Sequence, residues 1–223
     1  MFKKKELNLI SKLHTSTKRN YIERMINDKV YCMKVAKRYS KDYWDGDRKY
    51  GYGGYKYIKD RWKNVAIKMI KKFKLSNKSK ILDIGCGKGF LLYEIKKILP
   101  LINIKGIDIS KYGKKHSKQE IKDYISIYDI RKKLPFKNGE FDFVYSINTL
   151  HNLEIDKLKL AINEINRLSK KSYICVESYR NEYELFNLQC WALTCESFFS
   201  KREWIWIFKE QKFSGNYEFI YFK

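Results

Sequence analysis

One stretch of the chain decides the fold, and it reads Lys80-Ile81-Leu82-Asp83-Ile84-Gly85-Cys86-Gly87-Lys88-Gly89-Phe90. Its first part, Ile81 to Ile84, is apolar apart from one acid and is typical of a buried strand. Three glycines at alternate positions follow, and apolar residues then recur at helical spacing as far as Leu99. Glycines let a backbone pass close to a ligand, and a helix start offers unpaired N–H groups. The stretch therefore predicts the strand, turn and helix that open a nucleotide-binding α/β fold.

The acid before the turn narrows the class of ligand. A dinucleotide-binding turn spaces its glycines as G-x-G-x-x-G, whereas here they stand at Gly85, Gly87 and Gly89, and Phe90 follows. Asp83 would repel a pyrophosphate and attract an ammonium or sulfonium group. S-adenosylmethionine (SAM) carries both of these cationic groups. The turn therefore favours SAM over a dinucleotide.

The segment Asp83 to Gly89 resembles motif I of the class I SAM-dependent methyltransferases, and three later segments resemble that family in order and spacing. They are the second strand, Ile102 to Ile109, the short third strand, Ser126 to Ile130, and the segment from Leu134 to Ser146, which ends in the fourth strand. The resemblance implies a Rossmann-like α/β fold with a mostly parallel central sheet flanked by helices. It also implies SAM as cofactor and S-adenosylhomocysteine as product.

Several side chains are predicted to hold the cofactor. Asp108 ends the second strand, where an acid can accept hydrogen bonds from both ribose hydroxyls; the alternative is an exposed turn acid. The resemblance implies that Asp129 accepts a bond from the adenine amino group and that Ile130 packs on the ring, although Asp129 also suits a cap or turn. Arg61 is either a surface residue or a partner of the SAM carboxylate. The predicted cofactor-binding residues are Arg61, Asp83, Gly85, Gly87, Gly89, Asp108, Ile109, Asp129, Ile130 and Ser146.

The acceptor of the methyl group is expected beyond the fourth and fifth strands, because ligands lie past the carboxyl ends of parallel strands. His151 follows the fourth strand and resembles a histidine found there in small-molecule methyltransferases. Its ordinary pKa suits a general base, and the alternative is a structural hydrogen-bonding role. The predicted substrate-pocket and catalytic residues are His151, Tyr52, Tyr55, Glu177 and Tyr179.

A run of tyrosines and glycines, residues 42–57, predicts a loop carrying large rings on a bendable backbone. It is interpreted as a lid over the site or as a packed connection between helices. The Tyr52 to Tyr55 and Arg61-Trp62 segments are similar to those of bacterial methyltransferases associated with capsule and lipopolysaccharide assembly. The predicted division is an N-terminal helical extension with the lid, residues 1–60, and a SAM-binding domain, residues 61–223.

The ends of the chain give weaker patterns. Residues 1–40 have the spacing of an amphipathic helix that ends near Ser40. Residues 191–195 suit a strand or a pocket wall, and Ser200 is a predicted helix cap. Residues 217–222 alternate in polarity and are expected to form an antiparallel edge strand.

Charge, apolar runs and cysteine spacing bear on whether the protein binds anionic partners, spans a membrane or holds a metal. The net charge of +23 fits a solvated basic surface or an acidic or phosphorylated partner; Lys outnumbers Arg, whereas a designed phosphate surface would favour Arg. Apolar runs fall short of the roughly 20 residues that span a bilayer, and no signal core follows the basic residues 1–6. The five cysteines form no C-x-x-C pair, which predicts free thiols without a metal site. A cytoplasmic protein is expected.

Three hypotheses for function follow. The first is methylation of a hydroxyl or amine on a small polar or anionic molecule, such as a sugar- or phosphate-containing precursor of a surface polysaccharide. The second is methylation of RNA or another nucleic acid, which basicity supports but which lacks an Asn/Asp-Pro-Pro-Tyr/Phe motif after the fourth strand. The third is a non-catalytic SAM-binding subunit or a membrane-surface protein. The sequence leaves the oligomeric state open.

Overall fold

The structure is a computed structural model that describes residues 6–223, so the basic start of the chain lies outside the described residues. Six parallel strands form one sheet in the order β3-β2-β1-β4-β5-β6. The strands are β1 (Lys80–Ile84), β2 (Asn103–Asp108), β3 (Ile125–Ile127), β4 (Phe143–Ile147), β5 (Ser172–Glu177) and β6 (Asn216–Ile220). The helices are α1 (Ser11–Thr15), α2 (Tyr21–Ile26), α3 (Lys29–Ala36), α4 (Lys41–Asp45), α5 (Lys63–Phe73), α6 (Phe90–Ile98), α7 (Lys111–Lys115), α8 (Ile155–Leu168), α9 (Glu182–Trp191) and α10 (Lys201–Glu210).

The sheet is buried on both faces, which explains the nearly continuous apolar strands. Ile81 of β1 packs into a cluster with residues of α5 and α6, while Leu82 and Ile84 pack into a second cluster with residues of α8 and α10. This parallel sheet with helices on both faces confirms the predicted Rossmann-like α/β fold. Among residues 6–223, no helix is both long and apolar enough to cross a membrane.

The turn after β1 lies where the strand order reverses, between β1 and β4, and such a reversal opens a crevice at the carboxyl ends of the strands. The N–H groups of Gly85 and Cys86 both donate to the Ile107 carbonyl of β2. Gly85 has φ +76°, and a Cβ there would lie 1.9 Å from Oγ1 of Thr149. A larger residue is therefore excluded at this position by both conformation and space.

The prediction of an antiparallel final strand is wrong. β6 runs parallel to β5, because α10 crosses back over the sheet between the two strands. Alternating polarity identifies a strand but gives no information on its direction. On the outer side of β6, the Leu7 N–H donates to the Tyr217 carbonyl at 2.8 Å.

Other local predictions also need correction. The expected helix before Ser40 is three short helices, and Asp28 between α2 and α3 has a left-handed conformation with φ +41°. Residues 191–195 form no strand, because α9 continues to Trp191 and an irregular segment follows. β3 ends at Ile127, two residues before Asp129. The Ser200 cap is confirmed, with a reciprocal bond from the Ser200 N–H to Glu203.

Candidate active site

A cavity of about 650 Å³ opens at the carboxyl edge of the sheet. Its walls come from the glycine turn, from the segments that follow β2, β3, β4 and β5, and from the N-terminal extension. Most of the residues predicted from sequence lie in these walls. They are Tyr52, Tyr55, Arg61, Asp83, Gly85, Gly87, Asp108, Ile109, Asp129, Ile130, His151 and Glu177.

Three predicted residues lie outside the walls. Ser146 is fully buried, and its hydroxyl donates to the Ile84 carbonyl at 2.9 Å. Gly89 is the N-cap of α6, and a Cβ added there would lie 2.6 Å from Cδ1 of Ile121. Tyr179 pairs with the backbone at residue 200 and packs on the core. The structure therefore gives these three residues packing or backbone contacts, and their assignment to the site stays a prediction.

Asp108 joins the second strand to the glycine turn. Its Oδ2 accepts the Gly87 N–H and its Oδ1 accepts the Ser110 N–H, both at 2.7 Å. Each carboxylate oxygen keeps a lone pair for a further donor. Burial raises the pKa of Asp108, while these backbone bonds oppose the rise. A carboxylate held in this way fits the two hydroxyls of a ribose.

Asp83 is a buried acid that lacks a cationic partner. It is 5% exposed, and none of the ion pairs within 4.0 Å in the described part of the chain includes it. Burial, and to a lesser degree the nearby Asp108 carboxylate, raises the pKa of Asp83 to about 8. A cationic ligand would stabilise the ionised form. The site therefore fits the ammonium or sulfonium group of SAM.

The adenine-binding prediction falls on an acid that already has a partner. Asp129 accepts bonds from the Arg131 guanidinium at 3.0 and 2.8 Å, and this pairing lowers the pKa of Asp129. Ile130 beside it is buried and apolar, as packing on a ring requires. Arg61 is exposed at the cavity mouth.

The N-terminal extension contributes an aromatic wall opposite the glycine turn. The Trp44 and Tyr52 rings stack with centroids 5.3 Å apart, and Tyr55 stacks on Phe90 at 5.1 Å. The Trp44 ring lies against Gly87, where a Cβ would come within 2.7 Å of it. Composition predicted rings in this segment. The contact with Gly87 was missed, because sequence spacing does not reveal which ring faces the turn.

A buried ion pair fastens this wall to the turn. Lys88 is 3% exposed, and its Nζ lies 2.6 Å from Oδ2 of Asp45 and 2.7 Å from the Tyr55 carbonyl. The Trp44 indole N–H also donates to Oγ of Ser110 at 2.8 Å. The wall is thus held by directional bonds as well as by ring packing.

At the far end of the cavity, His151 and Glu177 lie side by side. The Glu177 backbone N–H donates to Nδ1 of His151 at 3.3 Å, so the proton of the neutral ring is on Nε2, 3.5 Å from Oε2 of Glu177. Burial lowers the pKa of His151 to about 3 and raises that of Glu177 to about 7. This arrangement makes His151 a donor and does not support its predicted role as a base.

Comparisons with known proteins show what the sequence of this chain is similar to. Residues 82–176 match the family model described as "Methyltransferase domain". An uncharacterised protein of Methanocaldococcus jannaschii, MJ1252, is 30% identical over 157 residues, which cover 70% of this chain and 53% of that protein. The malonyl-[acyl-carrier protein] O-methyltransferase of Legionella pneumophila is 31% identical over 93 residues, covering 40% of this chain and 32% of that enzyme. The chain thus spans about half or less of the length of these relatives.

Solved structures are similar in fold. The YcgJ protein of Bacillus subtilis has a TM-score of 0.53 at 18% identity, with 66% of each chain covered. A chain from the complex of the Haloferax volcanii Trm112 methyltransferase activator has a TM-score of 0.50 at 18% identity, covering 70% of this chain and 77% of that one. Residues 82–176 thus match a methyltransferase domain, and the parallel-sheet fold is similar to the folds of these solved structures.

Proposed function

We propose that this protein transfers the methyl group of SAM to a hydroxyl or amine of a small polar molecule. The observation that carries the proposal is one continuous cavity that joins Asp83, Gly85 and Asp108 at one end to His151 and Glu177 at the other. A cofactor seated at the first end would direct its reactive group toward the second. Such alignment of two reactants in an enclosed site is the main contribution a methyltransferase has to make.

SAM, when bound, supplies a methyl group on a sulfonium that already serves as the leaving group. The chain supplies the rest of the site. Asp108 accepts from the ribose, Asp83 offers a buried negative charge, and the glycine turn allows close backbone approach. The aromatic wall of Trp44, Tyr52 and Tyr55 excludes water from the reaction.

The enclosure by the N-terminal extension favours a small acceptor over a polymer, because the cavity volume of about 650 Å³ lies in the range of small-molecule sites. A sugar- or phosphate-containing precursor of a capsule or lipopolysaccharide, methylated in the cytoplasm, is the narrower form of this proposal. Residues 1–60 would then act as an extension with a lid, and residues 61–223 as the SAM-binding domain.

Methylation of RNA is the second candidate, and the net charge of +23 favours it. Incubation with methyl-labelled SAM and separate small-molecule, RNA and protein fractions of a cell extract distinguishes the candidates. We expect label in the small-molecule fraction. Label confined to RNA would replace the first candidate with the second, and SAM binding without label in any fraction would indicate a non-catalytic subunit.

A further inference from the structure

Three guanidinium groups surround one indole ring at the far end of the cavity. Arg19, Arg24 and Arg48 lie 5.3, 4.4 and 5.0 Å from the centroid of Trp191, and all four residues line the cavity. We call these three residues the arginine cluster. The N-terminal extension supplies them, and Trp191 is the last residue of α9.

The arginine cluster carries more positive charge than its surroundings neutralise. Burial lowers the pKa of Arg24 to about 10 and also lowers the pKa values of Arg19 and Arg48. Within residues 6–223, no carboxylate forms an ion pair with any of the three at 4.0 Å or less. Glu177 is the carboxylate whose charge acts on Arg19 from a greater distance. Arg19 and Arg24 are half-buried and Arg48 is exposed, and partly buried charges of one sign are stabilised when a partner of the other sign joins them.

The hydrogen bonds of the arginine cluster leave Arg19 with spare donors. Arg24 and Arg48 donate to backbone carbonyls, including that of Gly51, and these bonds hold the extension together. Arg19 donates to the carbonyls of Thr17 at 2.8 Å and His14 at 3.1 Å. Its Nε is buried and makes no hydrogen bond with any described residue. Arg19 is therefore the member best able to bind an additional anion.

Glu177 faces the same space from the end of β5. Several elements contribute titratable or charged groups that interact electrostatically with Glu177. These groups are His151, Arg19, Tyr43, Tyr52, Cys175 and Cys195. Arg19 is the permanently charged group among them, so Glu177 and the arginine cluster form two ends of one polar site.

We propose that this end of the cavity binds an anionic acceptor, with the arginine cluster holding its phosphate, sulfate or carboxylate group and Glu177 taking the proton of its nucleophile. The inference rests on the proposed methyltransferase function. The nucleophile's O–H or N–H bond breaks, and its proton passes to a Glu177 oxygen. A lone pair of the nucleophile forms the new bond to the methyl carbon. The carbon–sulfur bond breaks at the same time, and the electron pair of that bond remains on sulfur. His151 is a positioning residue, because its Nε2–H points toward Glu177.

The first test measures anion binding to protein saturated with adenosylhomocysteine, using sulfate and acetate as separate probes. The readout is the NMR resonance of the Trp191 indole N–H, assigned with Trp191→Phe. We expect sulfate or acetate to shift this resonance, and Arg19→Gln to weaken the binding about tenfold. The exposed Arg202, on α10, supplies the matched control R202Q, which should bind as the parent does. Tighter sulfate binding assigns a phosphate-like group, and tighter acetate binding assigns a carboxylate.

The second test uses Glu177 and pH. Sulfate keeps its charge between pH 5 and 9, so its affinity in the parent should fall as Glu177 ionises near pH 7, where burial places the Glu177 pKa. Glu177→Gln should bind sulfate more tightly than the parent at pH 8 and show no such fall. His151→Phe should move the midpoint to higher pH, because the carboxylate loses a donor; a residue that only fills space would leave it in place.

Separate results overturn the inference and the proposed function. If adenosylhomocysteine does not bind, the proposed function fails. If it binds but Trp191 does not respond to either anion, or if R19Q and R202Q behave alike, the acceptor-site inference is wrong while cofactor binding stands. Melting curves show whether R19Q is folded. If it is not, Arg19→Lys keeps the charge without the planar fork and should weaken binding about threefold.

Discussion

Two buried acids beside the glycine turn, Asp83 and Asp108, have different surroundings and therefore different effects on stability and ligand binding. Asp83 and Asp108 lie at the carboxyl ends of neighbouring strands, and both are buried beside the cavity. Asp108 is supported by two backbone donors, whereas burial dominates the environment of Asp83. An uncompensated buried acid lowers the stability of the ligand-free protein and strengthens its interaction with a cationic ligand.

Asp83→Asn should raise the melting temperature of the ligand-free protein, and the gain should grow with pH. The pKa of Asp83 is raised in the folded state to about 8 from its ordinary 3.8. Between pH 3.8 and about 8, the folded protein therefore keeps a proton that the unfolded chain releases. In this range the free energy of unfolding falls by on the order of 1 kcal/mol for each unit that the pH rises. Melting curves at pH 5, 6.5 and 8 test this, and parallel curves for parent and variant would contradict it. The same variant should bind SAM more weakly.

Asp108→Ala should weaken adenosylhomocysteine binding by more than about 1 kcal/mol, because a buried diol loses its acceptor. Asp129→Ala is the matched comparison, since Asp129 is already paired with Arg131, and a smaller loss is expected there. Calorimetric titration of both variants gives the two affinities. Equal losses would remove the distinction between the two acids.

The sequence alone was enough to predict the two acids at the glycine turn, but not the contacts between residues at the end of the cavity where the methyl acceptor is proposed to bind. The strand–turn pattern determines the chain positions of Asp83 and Asp108, so local spacing is enough to predict them. Arg19 and Trp191 meet across more than 170 positions, and no local pattern records such a contact. The tautomer of His151 depends on the Glu177 backbone N–H, which only the folded chain brings to it, so the sequence alone could not decide between a donor and a base.

At the scale of elements, the aromatic wall depends on the ion pair between Asp45, at the end of α4, and Lys88, in the glycine turn. Lys88 is buried, so its charge requires this partner. The strand and helix types around the turn followed from periodicity. The direction of β6 did not, because it follows from the path of α10 between β5 and β6.

Asp45→Asn should loosen the wall while the sheet stays folded. Removing one member of a buried pair costs about 3–5 kcal/mol, and the Tyr55 carbonyl that Lys88 also contacts should reduce this. Hydrogen exchange should accelerate in residues 41–57 and stay unchanged in β1 and β4. Asp42→Asn, at an exposed acid on the same helix, is the control. Uniform acceleration across the sheet, or none at all, would show that the pair does not hold the wall separately.

At the scale of the whole molecule, one buried carboxylate joins the two ends of the chain. Glu218 of β6 is 0% exposed and accepts the N–H groups of Leu9, Ile10 and Ser11, with the closest at 2.6 Å. The Tyr173 hydroxyl donates to it at 2.7 Å. Through this contact β6 positions the N-terminal segment that carries Arg19 to the cavity.

Glu218→Gln should destabilise the protein by on the order of 3 kcal/mol, because an amide NH₂ would face several buried donors. Urea denaturation measures the change in the free energy of unfolding. Glu210→Gln, at the exposed end of α10, should change it little. A variant as stable as the parent would mean that the N-terminal segment is held by other contacts.

We propose that the acid before the glycine turn selects a cationic adenosine ligand over a pyrophosphate. Calorimetric titration of the parent protein with adenosylhomocysteine and, separately, with nicotinamide adenine dinucleotide tests it most directly. We predict saturable one-to-one binding of adenosylhomocysteine and none of the dinucleotide. Binding of the dinucleotide, or failure of adenosylhomocysteine to bind, would contradict the account.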